Sequence, residues 1–294
     1  MNQALVIQPG LLSTIQDQGR MGCRHWGIPQ SGAMDQHSAL VANRLLGNNE
    51  SDAILEISLM GPKLQFEAKT QIAVAGAVFE MELNGAPIPM QQAITVEAGD
   101  VFHLKRLVYG CRAYLAVQGG WQTEQVLDSR SWYPGLTTHH RLRKGQSLAY
   151  PEFKEKVPDP SQNSVVQSPN WSESRLAVFA GSEFDQLSLA KQKRLFGLPL
   201  HLSPLMNRMA MQLEETLENR LPGLMTGPVV PGTVQLTPSG TLIVLMRDAQ
   251  VTGGYPRVLQ LTAQAIDLMA QKKQGDPVQF VRHQRFDEGI PRSL

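Results

Sequence analysis

The sequence predicts a mainly β protein with a few helices, folded as two β-barrel-like or sandwich lobes. Three observations carry that expectation. The chain has 294 residues, enough to bury two cores. Its 25 glycines and 19 prolines fall between short alternating runs of apolar and polar residues, which is how strands and turns are punctuated. Near the middle, Pro151 to Ser174 is poor in apolar residues and rich in Pro, Ser, Gln, Asn and charge. Such a stretch cannot bury a core, so a boundary is expected there, with lobes at 1–155 and 172–294.

The elements follow in order. Asp35 to Leu46 reads as an amphipathic helix, with Ala39, Leu40, Ala42, Leu45 and Leu46 apolar and Gly47 as its stop. Strand runs follow at Gln71–Val74, Phe79–Leu83, Ala93–Val96, Val101–Leu104 and Ala113–Val117. Asn84-Gly85, directly after the second run, predicts a tight hairpin turn. In the second half the strand runs are Arg175–Phe179, Gly232–Leu236, Thr241–Met246 and Pro277–Val281. Between them, Ser188 to Phe196 predicts a helix capped by Ser188 and closed by Gly197. Thr262 to Gln274 predicts a third helix, with Ala265, Ile266, Leu268 and Met269 inward and Gly275 ending it.

Composition narrows the function. Hydrophobic residues make up 42% and charged residues 18%, which is a globular balance. A formal charge of +1, from 27 basic and 26 acidic residues, gives no electrostatic reason to bind nucleic acid or an anionic membrane. The two cysteines, Cys23 and Cys111, are too few for a disulfide framework and point to a reducing compartment. Met1 to Thr14 lacks a basic start and a sustained apolar core, and no run approaches roughly 18 apolar residues. Cytoplasm is the expected location.

Most catalytic signatures are absent. There is no P-loop, dinucleotide fingerprint, paired-histidine zinc helix or nucleophile elbow. Cys23 with His25, and His139 with His140, lack a second ligand pair at a workable spacing, so no metal site is expected. Three dense polar segments remain. The first is Gln16-Asp17-Gln18-Gly19-Arg20 followed by Ser31-Gly32-Ala33-Met34-Asp35. Asp35 and Gly32 read best as a helix cap and its turn, whereas a buried Arg20 demands a partner. The second is Asn207-Arg208-Met209. The third, Met246 through Arg257, follows the apolar strand Leu242–Leu245 and gathers Asp248, Gln250, Thr252, Tyr255 and Arg257 in one loop. A loop that only turns does not need so many kinds of hydrogen-bonding group, and sites are commonly built at strand ends.

These segments, in this order, resemble the family called allophanate hydrolase subunit 2, or biotin-dependent carboxyltransferase. The resemblance also takes in Ala42-Asn43, Leu46-Gly47-Asn48 and Pro231-Gly232-Thr233-Val234-Gln235, and spans about Val6 to Val281. The family includes the C subunit of 5-oxoprolinase and the matching region of urea carboxylase. It implies two cyclophilin-like β-barrel lobes. It also implies one component of an ATP-dependent 5-oxoprolinase, working with B-like and A-like partners, with ATP held by the complex. On that implication Asp248, Arg208 and Tyr255 are the catalytic candidates. Asp17, Arg20, Asn207, Gln250, Thr252 and Arg257 are the candidates for binding a small amide or lactam. Arg208, Arg257 or Tyr255 would stabilise developing negative charge, and Asp248 would act as acid/base or orient the substrate nitrogen. One alternative is the carboxyltransferase component of a urea-type, biotin-dependent carboxylase. Another is a non-catalytic regulator of a kinase-inhibitor-like B-type partner. The chain departs from the family pattern at Ala180-Gly181-Ser182, at Met206, Ala210 and Gln212, and at Val251.

Overall fold

The computed structural model describes residues 1–155, 170–197 and 199–285. The chain divides into two compact units. The first is Met1–Arg20 with Ser31–Pro169, the second Met21–Gln30 with Asn170–Leu294.

The first unit holds β1 (Asn2–Gln8), β2 (Leu12–Gln16), α1 (Gln36–Arg44), β3 (Ile54–Ser58), β4 (Lys63–Phe66), β5 (Thr70–Leu83), β6 (Ala86–Ile88), β7 (Ile94–Val96), β8 (Val101–Val117) and β9 (Ser147–Tyr150). They form one nine-stranded sheet, curled as a half-barrel, whose main path runs β2-β3-β8-β4-β1-β9, with β5 on β8 and β6 and β7 on β5. Pairs of expected short runs merge into the long strands β5 and β8. The merger needs a bend, and Gly76 supplies it. Its φ of +95° sits at a register shift, and an added Cβ would stand 2.6 Å from the Arg112 carbonyl oxygen. Asn84 and Gly85 both have positive φ, 54° and 83°, as a two-residue turn between β5 and β6 requires. Asp35 caps α1, accepting from the Ser38 backbone at 2.9 Å and the Ser38 hydroxyl at 2.6 Å. The core centres on Phe66, Trp121 and Tyr150, whose rings meet edge to face at Tyr150.

The second unit holds β10 (Arg175–Ala180), α2 (Leu189–Gly197), β11 (Leu200–Met206), β12 (Ala210–Thr216), β13 (Gly227–Pro228), β14 (Thr233–Leu236), β15 (Thr241–Leu245), β16 (Thr252–Gly253), β17 (Arg257–Leu261), α3 (Ala263–Ala270) and β18 (Pro277–Arg282). Seven strands close a barrel in the order β10-β17-β14-β15-β12-β11-β18, sealed by parallel pairing of β18 with β10. Met211, Leu213, Val234, Leu242, Val244 and Leu259 fill it, each at most 2% exposed. Their neighbours in the strands point outward, because side chains alternate across a strand. β13 and β16 form a separate two-stranded flap. Thr262 caps α3 at the Ala265 amide, 3.2 Å away, and the helix ends four residues before the expected Gln274, with Gln271 at its C-cap.

Candidate functional site

A cleft of about 480 Å³ opens on the outer face of the second unit's barrel wall, a size that suits a small molecule. Its floor is made by residues that alternate with the barrel core: Ala210 and Gln212 of β12, Gln235 of β14, and Ile243 and Leu245 of β15. Register sets them side by side, since Ala210 pairs with Leu245 and Ile243 pairs with both Gln212 and Gln235. Asn207, Gln250 and Tyr255 also line it, as do Pro204, Leu205 and Met206. Val229 and Ala249 pack with Leu245 in a small apolar cluster. Among the described residues, no charged side chain lines the cleft.

Asn207 makes the turn between β11 and β12. Its Oδ1 accepts from the Met209 and Ala210 amides at 2.8 and 3.1 Å, the Asx arrangement that tightens a turn. Next to it, Arg208 grips Asp248 with two hydrogen bonds, Nε to Oδ2 at 2.8 Å and an NH2 to Oδ1 at 3.1 Å. Both residues are buried. Backbone bonds reinforce the grip, from the Asp248 amide to the Arg208 carbonyl and from the Met246 amide to the Met209 carbonyl, each 2.9 Å. The pair therefore fastens the β11–β12 turn to the loop after β15. Neither Arg208 nor Asp248 lines the cleft; Asn207, Met209 and Gln250 beside them do.

The remaining candidates lie away from the cleft lining, each with partners in its own unit. Arg257 gives its Nε and an NH2 to the two oxygens of Glu183, at 3.0 and 2.7 Å, and its NH1 to the Pro228 carbonyl at 3.1 Å. Burial opposes ionisation of Glu183, but the Arg257 hydrogen bonds and charge outweigh it and lower the carboxyl pKa. The same hydrogen bonds raise that of Arg257. Arg257 is thus committed to the barrel wall and does not line the cleft. Thr252 is exposed on β16, where it pairs with Pro228. In the first unit Asp17 is a hub. Its Oδ1 accepts from the Gly19 amide, the Ser129 hydroxyl and the Ser131 hydroxyl at 2.7, 2.7 and 2.6 Å, and its Oδ2 from the Arg130 amide at 2.6 Å. Arg20, 1% exposed, donates to the carbonyls of Val126 and Ser131. Asp17 thus binds backbone amides and serine hydroxyls of its own unit, and Arg20 backbone carbonyls of the same unit. Polar density alone cannot separate a ligand-binding loop from a loop that binds itself. Gln212 and Gln235 escape a reading by polar density, although an isolated glutamine between two inward apolar residues, as in Val234-Gln235-Leu236, is a visible signal. Among the described residues no group of three or more His, Cys, Asp or Glu is arranged to hold a metal.

Residues 26–282 match the family described as carboxyltransferase domain, subdomain A and B. The chain belongs to this family. A carboxyltransferase-family relative, the C subunit of 5-oxoprolinase from Escherichia coli (strain K12), is 32% identical over 283 residues, 94% of this chain and 90% of the relative. The crystal structure of TTHA0988 superposes with a TM-score of 0.83 at 29% identity, covering 96% of this chain and 55% of the other. The Kluyveromyces lactis urea carboxylase structure gives a TM-score of 0.81 at 26% identity, covering 95% of this chain and 27% of the larger one. The chain thus spans about half the length of the first of these solved chains and about a quarter of the second.

Proposed function

We propose that this carboxyltransferase-family chain is the C-type component of a cytoplasmic, ATP-dependent 5-oxoprolinase, working with A-like and B-like subunits to open 5-oxoproline to glutamate. The observation that carries the reading is the 32% identity to a 5-oxoprolinase C subunit along nearly the full length of both chains. In the reaction the lactam C–N bond breaks, the oxygen of water joins the carbonyl carbon, and the ring nitrogen leaves as the amine of glutamate. ATP and a second water become ADP and phosphate. A lactam resists this because nitrogen donates into its carbonyl, so activation of the carbonyl oxygen is the difficult step.

The cleft in the second unit is the substrate site in this reading. Its uncharged lining offers no cation to a triphosphate, so in this reading ATP is held by other parts of the complex. In this reading Tyr255, which lines the cleft and is 44% exposed, donates to the carbonyl oxygen. Asn207 and Gln250 border the substrate, and the Arg208–Asp248 pair holds both loops in register rather than touching the ligand. Purified A-like and B-like partners with and without this chain test the proposal through ATP-dependent glutamate release. Activity that requires all three chains is expected; equal activity without this one would end it.

The second reading, a carboxyltransferase component of a urea-type carboxylase, is favoured by the same uncharged lining, because urea and the ureido ring of biotin are neutral and hydrogen-bonding. Carboxybiotin would supply the carboxyl group, and Gln212, Gln235 and Gln250 suit the ring. Urea-dependent ATP hydrolysis with a biotinylated partner would select it.

A further inference from the structure

Gln235 lies in β14 between two residues that point into the barrel, so its side chain leaves through the outer face and lines the cleft. It is 2% exposed, and its Nε2 has no hydrogen-bond partner among the described residues. A buried polar group left unpaired costs about 1–3 kcal/mol. Other buried glutamines of this chain avoid that cost. Gln260 gives its Nε2 to the carbonyls of Pro231 and Leu261 at 2.9 and 3.2 Å and accepts from the Thr233 hydroxyl at 2.9 Å. Gln118 gives its Nε2 to the Lys154 carbonyl at 3.0 Å. Gln235 Nε2 is one of several enclosed polar atoms without a partner among the described residues, and it belongs to a residue that lines the cleft.

Gly253 of β16 comes close to the same atom. A Cβ there would stand 2.5 Å from Gln235 Nε2, so any side chain at this position intrudes on the amide. What the donor offers is an N–H in surroundings lined by no charge. The matching ligand atom is a hydrogen-bond acceptor on a neutral group, such as the oxygen of an amide. A carboxylate would find no cation among the lining residues and would lose its hydration for nothing.

We propose that Gln235 is a substrate-binding residue, donating through Nε2 to the carbonyl oxygen of a small amide or lactam that enters the cleft carbonyl first. The inference rests on the cleft being the substrate site. For 5-oxoproline it orients the ring, carbonyl on Gln235 and carboxylate toward the open side.

The test uses the isolated full chain, with 2-pyrrolidinone as the lactam without a carboxylate and 5-oxoproline as the lactam with one. Amide-side-chain NMR signals of Gln235 are identified by their absence in Gln235→Leu. Both probes are expected to shift those signals and to bind within about threefold of each other. Gln235→Leu and Gln235→Glu are each expected to weaken both probes by about tenfold. Unmoved Gln235 signals, or a Gln235→Leu chain that binds like the parent, overturn the assignment. So does 5-oxoproline binding more than about tenfold tighter than 2-pyrrolidinone, which would require a cation. If Gln235→Leu does not fold, Gly253→Ala displaces the same nitrogen and must weaken both probes. An inactive three-subunit assembly with shifting Gln235 signals removes the 5-oxoprolinase reading and keeps the donor; an active assembly with still signals does the reverse.

Discussion

At the scale of single residues, what separates function from architecture is where each polar atom finds its partner. Asp17, Arg20 and Arg257 carry the chemistry of a site yet bond to their own units. Arg208 and Asp248 are intermediate, a buried pair that positions the cleft loops without lining them. Removing one member takes a charged partner from the other in a largely buried setting, a loss of about 2–4 kcal/mol given the slight exposure of both. Asp248→Ala is therefore expected to lower the melting temperature and weaken ligand binding together. Asp248→Asn, which keeps one acceptor for Arg208, should retain much of both. An assembled Asp248→Asn enzyme that folds normally but shows a shifted pH–rate profile would instead make Asp248 a proton-transfer group. The sequence made this site half legible. It located the loops, because glycine pairs and mixed polar residues after an apolar strand are visible without coordinates. It could not show that Asn207, Gln250 and Tyr255 share a cleft while Arg257 turns toward Glu183, since that depends on contacts 74 residues apart along the chain.

Among the elements, the Asp35 helix cap and the Asn84-Gly85 turn were readable because their causes are local. The long strands were not. β5 and β8 each pass through an interior glycine with positive φ, Gly76 and Gly110, and a glycine inside a strand run reads as a break until the partner strand shows a bulge. Gly181 illustrates the same dependence on distant backbone. It follows β10, its amide donates to the Val258 carbonyl at 3.1 Å, and an added Cβ would stand 2.1 Å from the Arg257 carbonyl oxygen. Backbone cannot yield as a flexible side chain does. Gly181→Ala is expected to destabilise the barrel by about 2–3 kcal/mol, measurable by urea unfolding; an unchanged midpoint would show that β17 shifts freely.

For the whole molecule, the grouping of Met21–Gln30 with the later half has no compositional mark in the sequence, because a short excursion changes nothing that local periodicity measures. The ion pair between Glu183 and Arg257 gives the second unit an acid-sensitive element. Glu183 has a lowered folded-state pKa. Its contribution is thus present above the ordinary glutamate range and is lost as pH falls through the folded value. Arg257→Ala leaves a buried carboxylate and is expected to cost about 2–3 kcal/mol near neutrality, discounted because the arginine is partly open to solvent. The penalty should shrink on acidification, read as converging melting temperatures of parent and variant. The barrel itself is sealed by the parallel pairing of β18 with β10. During synthesis on the ribosome, β10 and β11 therefore wait as two unpaired edges until the segment near Arg282 emerges, so a nascent or prematurely terminated chain would present sticky strand borders that the finished protein never shows.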